Sequence, residues 1–440
     1  MEVEIISREC IKPSSPTPIH LTTYNISFLD QFAPHIYVPH LLFYSPNKAS
    51  VSETSRLFKQ SLSKALTLYY PLAGKVKDSL SIDCNDEGAC YISARVNRNL
   101  SDCLKQPTHS TLSNFLPSGI VSTEVSPGAY VVVIQETLFS CGCIAIAFVF
   151  PHTLLDATAS SGFMKTWATI ARQPSAGANL SPNFSAPSIF PQTSTAFPVD
   201  LTAINLASVY FRKGKFVLKR FVFDDSAIIK LKAKTMSSGV QNPTRVEVVF
   251  ALLLKIIMSV LNVKSSKQKS ALAINAVNLR RKAVPPIPEN AVGNFIWMEP
   301  IVSQVADKEL CDFVLRIRES VSRIDSEFVK SLEGDGGFNM FCVSLKEFGK
   351  SCSKALSEGA EPFGLNSWCN MGFYEVDFGW GKPLWIPLAT GLMEPPNAYS
   401  IGLMDTRQGN GIEAWVVLDE ETMPMLQHHM ELICLLSSKL

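Results

Sequence analysis

The chain has no pair of cysteines spaced C-x-x-C, no H-E-x-x-H, no G-x-S-x-G and neither of the glycine-rich phosphate-loop patterns. These absences remove the sequence signatures of a dithiol redox centre, a zinc protease, an acyl-enzyme serine hydrolase and a nucleotide-phosphate cradle. Net charge is lacking too: 40 Lys and Arg face 39 Asp and Glu, for a formal charge of +1. No overall field attracts a phosphate backbone or an acidic lipid surface, so neither nucleic acid nor membrane is expected as a partner. The first 18 residues, MEVEIISRECIKPSSPTP, lack a basic stretch leading into an apolar core, and so read as no secretory signal. The longest apolar helical run, Val246 to Leu261, carries Glu247 and Lys255 and falls short of the roughly 20 residues a bilayer needs. Eleven scattered cysteines, an odd number, read as reduced thiols. A soluble cytoplasmic protein is the expectation.

Apolar material is plentiful, with 46% hydrophobic and 10% aromatic residues. A chain of 440 residues exceeds what one core comfortably serves, which predicts at least two domains. Gln173 to Leu206, dense in Pro, Ser and Asn, shows no period and reads as a crossover linker. We place an N-terminal domain at 1–190, the linker at 191–210 and a C-terminal domain at 211–440. The first domain holds a predicted helix over Thr54–Thr67, strands over Leu80–Cys84, Cys90–Val96, Ala129–Gln135 and Cys143–Phe150, and a helix over Ala157–Arg172. The second holds a strand over Lys215–Phe223, a helix capped by Asp225 or Ser226, and an apolar helix opened by the Thr244/Glu247 capping box. Strands over Ser270–Leu279, Tyr399–Asp405 and Gly411–Leu418 follow, then a helix from Glu420. Strands and helices alternate throughout, which predicts an α/β class.

Within this frame CGCIAIAFVFPHTLLDA, Cys141 to Ala157, is the most informative stretch. An apolar strand ends at a proline and presents His152. Held in one orientation and partly desolvated, such a histidine suits a general base; the same position also fits a turn histidine bonded to backbone. Asp156 can orient that histidine or cap the following helix, and capping is favoured because no continuous helix spans 152 to 156. Cys141 and Cys143 alternate onto one strand face, where core packing is expected. DFGWG, Asp377 to Gly381, reads as a sharp turn with packed rings.

H-x-x-x-D at His152–Asp156 followed by DFGWG at Asp377–Gly381 resembles the plant BAHD acyl-CoA-dependent acyltransferases. The resemblance runs the whole chain through IKPSSPTP, YPLAGKV (70–76), KRFVFD (219–224), TRVEVV (244–249), AVNLRRK (276–282), Gly293-Asn294 and GIEAWV (411–416). It is greatest to the branch that acetylates alkaloid alcohols. It implies two chloramphenicol-acetyltransferase-like domains with mixed sheets flanked by helices, joined by a crossover loop, in a monomer that needs no metal or permanent cofactor. It further implies acetyl-CoA or another short acyl-CoA as co-substrate and a small-molecule alcohol from specialised metabolism as acceptor. His152 is the implied base, and Asp156 is implied to pair with Arg280. Asp377, Gly379, Trp380 and Gly381 take structural roles near the site. Asn366 and Trp368 stand where the family's Thr-Ser-Trp holds the reacting oxygen; here the triplet is Asn366-Ser367-Trp368. Contacts to the CoA phosphates are sought at Thr244 and at the cations Arg245 and Lys255 or Lys282. Alternatives within this reading are an N-acyltransferase and a catalytically silent small-molecule-binding homologue.

Overall fold

The computed structural model describes residues 2–105, 107–117, 125–175, 180–195, 197, 213–265, 267–388 and 398–437. The chain is a mixed α/β structure built on two large sheets. Strands β1 (Glu4–Ile11), β2 (Thr23–Asn25), β3 (Tyr37–Tyr44), β4 (Lys75–Val76), β5 (Ser81–Asp83), β6 (Ala89–Val96), β7 (Val133–Phe139) and β8 (Ile144–Pro151) come from the first half. Strands β9 (Phe216–Phe223), β10 (Ala271–Asn278), β11 (Ile296–Val302), β12 (Glu361–Ser367), β13 (Ser400–Asp405) and β14 (Ile412–Asp419) come from the second. One sheet runs β1-β6-β7-β8-β3, the other β11-β10-β12-β13-β14-β9, and a small one runs β2-β5-β4. Both large sheets contain parallel and antiparallel neighbours. β8 reads as a continuous apolar run, and β3 does so apart from His40, because both faces of each strand are covered.

Helix boundaries follow their caps. The predicted helix over Thr54–Thr67 begins earlier, at Val51, because Ser50 and Glu53 form a reciprocal capping box (2.9 and 3.3 Å). Asp224, not Asp225 or Ser226, caps the next predicted helix, accepting from the Ala227 amide at 2.8 Å. The apolar helix spans Arg245–Lys264, 20 residues, longer than Val246–Leu261. By length and composition it could cross a membrane, but its residues from Val248 to Leu261 are mostly buried in the second core. The strand expected at Ala129–Gln135 lies instead at Val133–Phe139, where it pairs with both β6 and β8. The terminal helix starts at Met423. Most of the 191–210 linker lies outside the described residues, and the segment before it contains a short helix at Ala186–Ile189.

Cys141 does not belong to a strand. Gly142 adopts φ +78° in a turn between β7 and β8, leaving Cys141 exposed and Cys143 half-buried. A tight reversal before Ile144 therefore replaces the expected core packing of Cys141.

The first core is not made from the first half alone. Trp368, Phe373, Tyr374, Val376, Phe378, Trp385, Ile386 and Leu388 pack into it. The strand-like bridge from Phe43 to Trp385 stitches this segment to β3, with Phe43 donating to the Trp385 carbonyl at 3.1 Å. His152, at the end of β8, is thus framed by elements from both halves.

Candidate active site

β8 carries its ladder one residue beyond the strand: the His152 amide donates to the Ile36 carbonyl at 2.8 Å. The His152 carbonyl accepts from Asn294 Nδ2 at 2.8 Å. Both backbone groups of the histidine are therefore fixed, one by the first sheet and one by the loop between β10 and β11. Its side chain is half-buried, and Nδ1 is buried without a hydrogen-bond partner among the described residues. A histidine on an anchored backbone, with one ring nitrogen enclosed, can present the other to a substrate.

Asp156 faces other partners. Its Oδ1 caps the Ala157–Arg172 helix by accepting from Ala159 N at 2.8 Å. Arg280 grips both oxygens, at 2.6 and 3.1 Å, and the Phe295 amide adds a bond of 3.1 Å. Arg280 is fully buried; it also donates to the Ala291 carbonyl at 3.0 Å and lies 4.5 Å from the Phe295 ring centroid. A buried carboxylate is tolerable when its charge is matched and its lone pairs are filled in this way. Each named contact of Asp156 goes to structure rather than to the His152 ring.

The tripeptide Gly293-Asn294-Phe295 is the meeting point. The Gly293 carbonyl accepts from the Asp156 amide at 3.4 Å, and the Asn294 amide donates to Asp30 Oδ1 at 2.6 Å. Gly293 has φ +134°, and a Cβ there would stand 3.0 Å from the Ala186 Cβ. Glycine satisfies the dihedral and the close approach together.

Trp368 lies just beyond β12, buried, with its amide donating to the Leu403 carbonyl at 2.8 Å. Its ring stacks on Phe373 (5.4 Å) and meets the ring of His40 edge-on at 4.9 Å. His40, on β3, lies beside Ser160 of the helix that Asp156 caps, Nε2 to Oγ 2.8 Å. Burial, and after it the electrostatic influence of the neighbouring His152, push the His40 pKa down to about 3, so it is neutral at physiological pH. Sequence reasoning missed His40: no pattern marks it, and only its place opposite Phe148 in the β3–β8 ladder brings it near His152. Asn366 is exposed near the end of β12, in register with Gly402 of β13.

DFGWG is a turn. Asp377 Oδ1 accepts from the amides of Gly379 (2.8 Å) and Gly381 (3.0 Å), whose φ angles are +116° and +123°. Trp380 packs on Phe378, Phe58 and Tyr44. The motif therefore anchors to the Val51–Leu68 helix and to β3.

The residues sought for CoA phosphates are occupied within the chain. Thr244 caps the Arg245–Lys264 helix in a box with Glu247. Arg245 pairs with Asp405 at 2.6 Å and also donates to Asn370 Oδ1 and the Gly409 carbonyl. Lys282 Nζ donates to the Val321 carbonyl at 3.3 Å. None of them is brought beside His152 by these contacts.

The family model described as "Transferase family" matches residues 1–433. The chain belongs to this family, the BAHD acyltransferases. It is an acyltransferase. Among its relatives it is 41% identical to epi-neemfruitin B 7-O-acetyltransferase of Melia azedarach, with 98% of each chain covered. It is 36% identical to akuammiline synthase 2 of Alstonia scholaris, over 98% of this chain and 96% of that one. The crystal structure of vinorine synthase superposes with a TM-score of 0.77 at 31% identity, covering 96% of both chains. An F. sporotrichioides TRI101 structure shares the fold at 16% identity, with TM-score 0.70 over 92% of this chain and 97% of that one.

Proposed function

We propose that this BAHD protein transfers an acetyl group from acetyl-CoA to a hydroxyl of a bulky polycyclic plant alcohol, with His152 as general base. The supporting observation is the His152 geometry: a half-buried imidazole at a strand end, on a backbone fixed through both its N–H and its carbonyl, with Nδ1 buried and without a hydrogen-bond partner among the described residues. With Nδ1 enclosed by protein, Nε2 takes the proton of the acceptor hydroxyl as that oxygen attacks the thioester carbonyl. The C–S bond then breaks and the CoA sulfur leaves, taking its proton from the imidazolium. Asn366 and Trp368 are proposed to steady the carbonyl oxygen, for which an amide donor is worth about 3 kcal/mol in a preorganised site. Several relatives are named as limonoid and alkaloid O-acetyltransferases, and limonoids come first as acceptors because the two 41% relatives carry that substrate class or a named member of it.

The test is transfer of isotope-labelled acetyl from acetyl-CoA into a panel of limonoid, alkaloid and quinone alcohols, followed by mass spectrometry. A labelled ester is expected with wild type. His152→Ala should turn over at least ~100-fold more slowly while binding acetyl-CoA normally in calorimetry. Equal turnover by the two proteins would remove His152 from the role of base.

A further inference from the structure

Asp30 is fully buried in the short helix Phe28–Phe32, 122 positions before His152 in the chain. Its Oδ2 accepts from the Ser27 amide (2.9 Å) and hydroxyl (2.6 Å), completing a capping box. A surface glutamate would serve that purpose without the penalty of burying a carboxylate. The other oxygen, Oδ1, points across the molecule and accepts from the Asn294 amide (2.6 Å) and from Asn294 Nδ2 (2.9 Å). The second hydrogen of that same Nδ2 goes to the His152 carbonyl at 2.8 Å. The amide orientation of Asn294 is forced, since both neighbours are pure acceptors and a flipped side chain would oppose oxygen to oxygen.

We infer that Asp30 is a positioning residue for His152, acting through the Asn294 side-chain amide. A carboxylate in the first half of the chain orients an amide in the second half, and that amide fixes the peptide of the base across the seam between the two sheets. The ionisable groups around Asp30 are Tyr24, whose hydroxyl lies in its field, and, beyond Asn294, His152 and the Asp156–Arg280 pair. Burial raises the Asp30 pKa to about 6 against the four donors that favour its anion. Keeping an anion there at neutral pH is unfavourable for folding alone, which agrees with a positional role.

The inference rests on His152 being the base, and its test separates the two. Asp30→Asn, Asn294→Ala and the double variant are compared with wild type and His152→Ala in acetyl transfer. Each single variant should lose about 10- to 100-fold in kcat, the scale of a small displacement of a reacting group. KM for acetyl-CoA and for the acceptor should stay within about twofold. The double variant should lose no more than the worse single one, because both break the same link. Hydrogen exchange over 151–156 should quicken in both single variants. Asn294→Ala retains the backbone bond to Asp30 and so tests the link even if Asp30→Asn fails to fold. Wild-type kcat in a folded single variant, losses that multiply, or unchanged exchange would overturn the inference. His152→Ala turning over like wild type would instead sink the base reading, with exchange still deciding the Asp30–Asn294–His152 link.

Discussion

At the residue scale, Asp156 and Asp30 are two buried carboxylates with different duties. Asp156 is matched by Arg280 through two bonds and by two backbone amides. Removing one member leaves a charge stranded in the interior, at a cost of about 3–5 kcal/mol. Asp156→Ala should therefore lower both the denaturant midpoint and activity; lost activity at an unchanged midpoint would assign Asp156 a direct chemical role. Asp30 has no cation among its named partners, and burial lifts its pKa from 3.8 to about 6. The folded state then holds that proton more tightly than the unfolded chain, so the Asp30 contribution is most favourable below about pH 4. It declines as pH rises toward 6, by about 3 kcal/mol in all. Relative to Asp30→Asn, wild type should lose stability across this window in urea titrations at several pH values. A constant difference would show that Asp30 does not titrate there.

The helices and turns of this chain are set by short-range bonds that sequence exposes. Ser50, Thr244, Asp224 and Asp156 all cap helices, and the sequence marks the last three helix starts within a residue or so. Thr244→Ala should cost about 1 kcal/mol, the worth of an N-cap, and leave KM for acetyl-CoA unchanged if Thr244 is a cap only. A several-fold rise in KM would restore it as a CoA contact. In DFGWG, Gly379 and Gly381 hold φ angles that side chains rarely adopt, although a Cβ at Gly381 would meet nothing within 4 Å. Gly381→Ala should thus destabilise by about 1–3 kcal/mol through backbone strain alone. Near-normal kcat in the folded fraction would confirm the turn as scaffold; a kcat collapse without loss of stability would contradict that.

Across the whole molecule, the first core is completed by residues from Trp368 to Leu388. Tyr44 donates to the Val376 carbonyl at 2.9 Å, and Ser161 to the Met371 carbonyl at 2.6 Å. A fragment ending near residue 195 would expose the apolar surface that these rings cover. Expressed alone it should aggregate or bind a hydrophobic dye, and co-expression with 213–440 should restore soluble protein. A stable, dye-silent fragment with native circular dichroism would show that the first sheet folds without the second half.

The sequence by itself determined strands β5, β6, β8, β9, β10, β13 and β14, the caps at Asp156 and Thr244, the H-x-x-x-D and DFGWG motifs and, through their order, the family. Those features rest on periodicity and on bonds between residues three or four apart, and such regularities are written into local composition. Its failures share one cause. The β7 strand slid because the alternation around it has no fixed phase until β6 and β8 pair with it. Nothing beside Arg245 in sequence marks its pairing with Asp405, 160 positions away. Only the tertiary structure decided that Asp30, Asn294 and His152 form one chain of hydrogen bonds, since positions 264 and 142 apart in sequence meet through sheet packing and not through any local pattern.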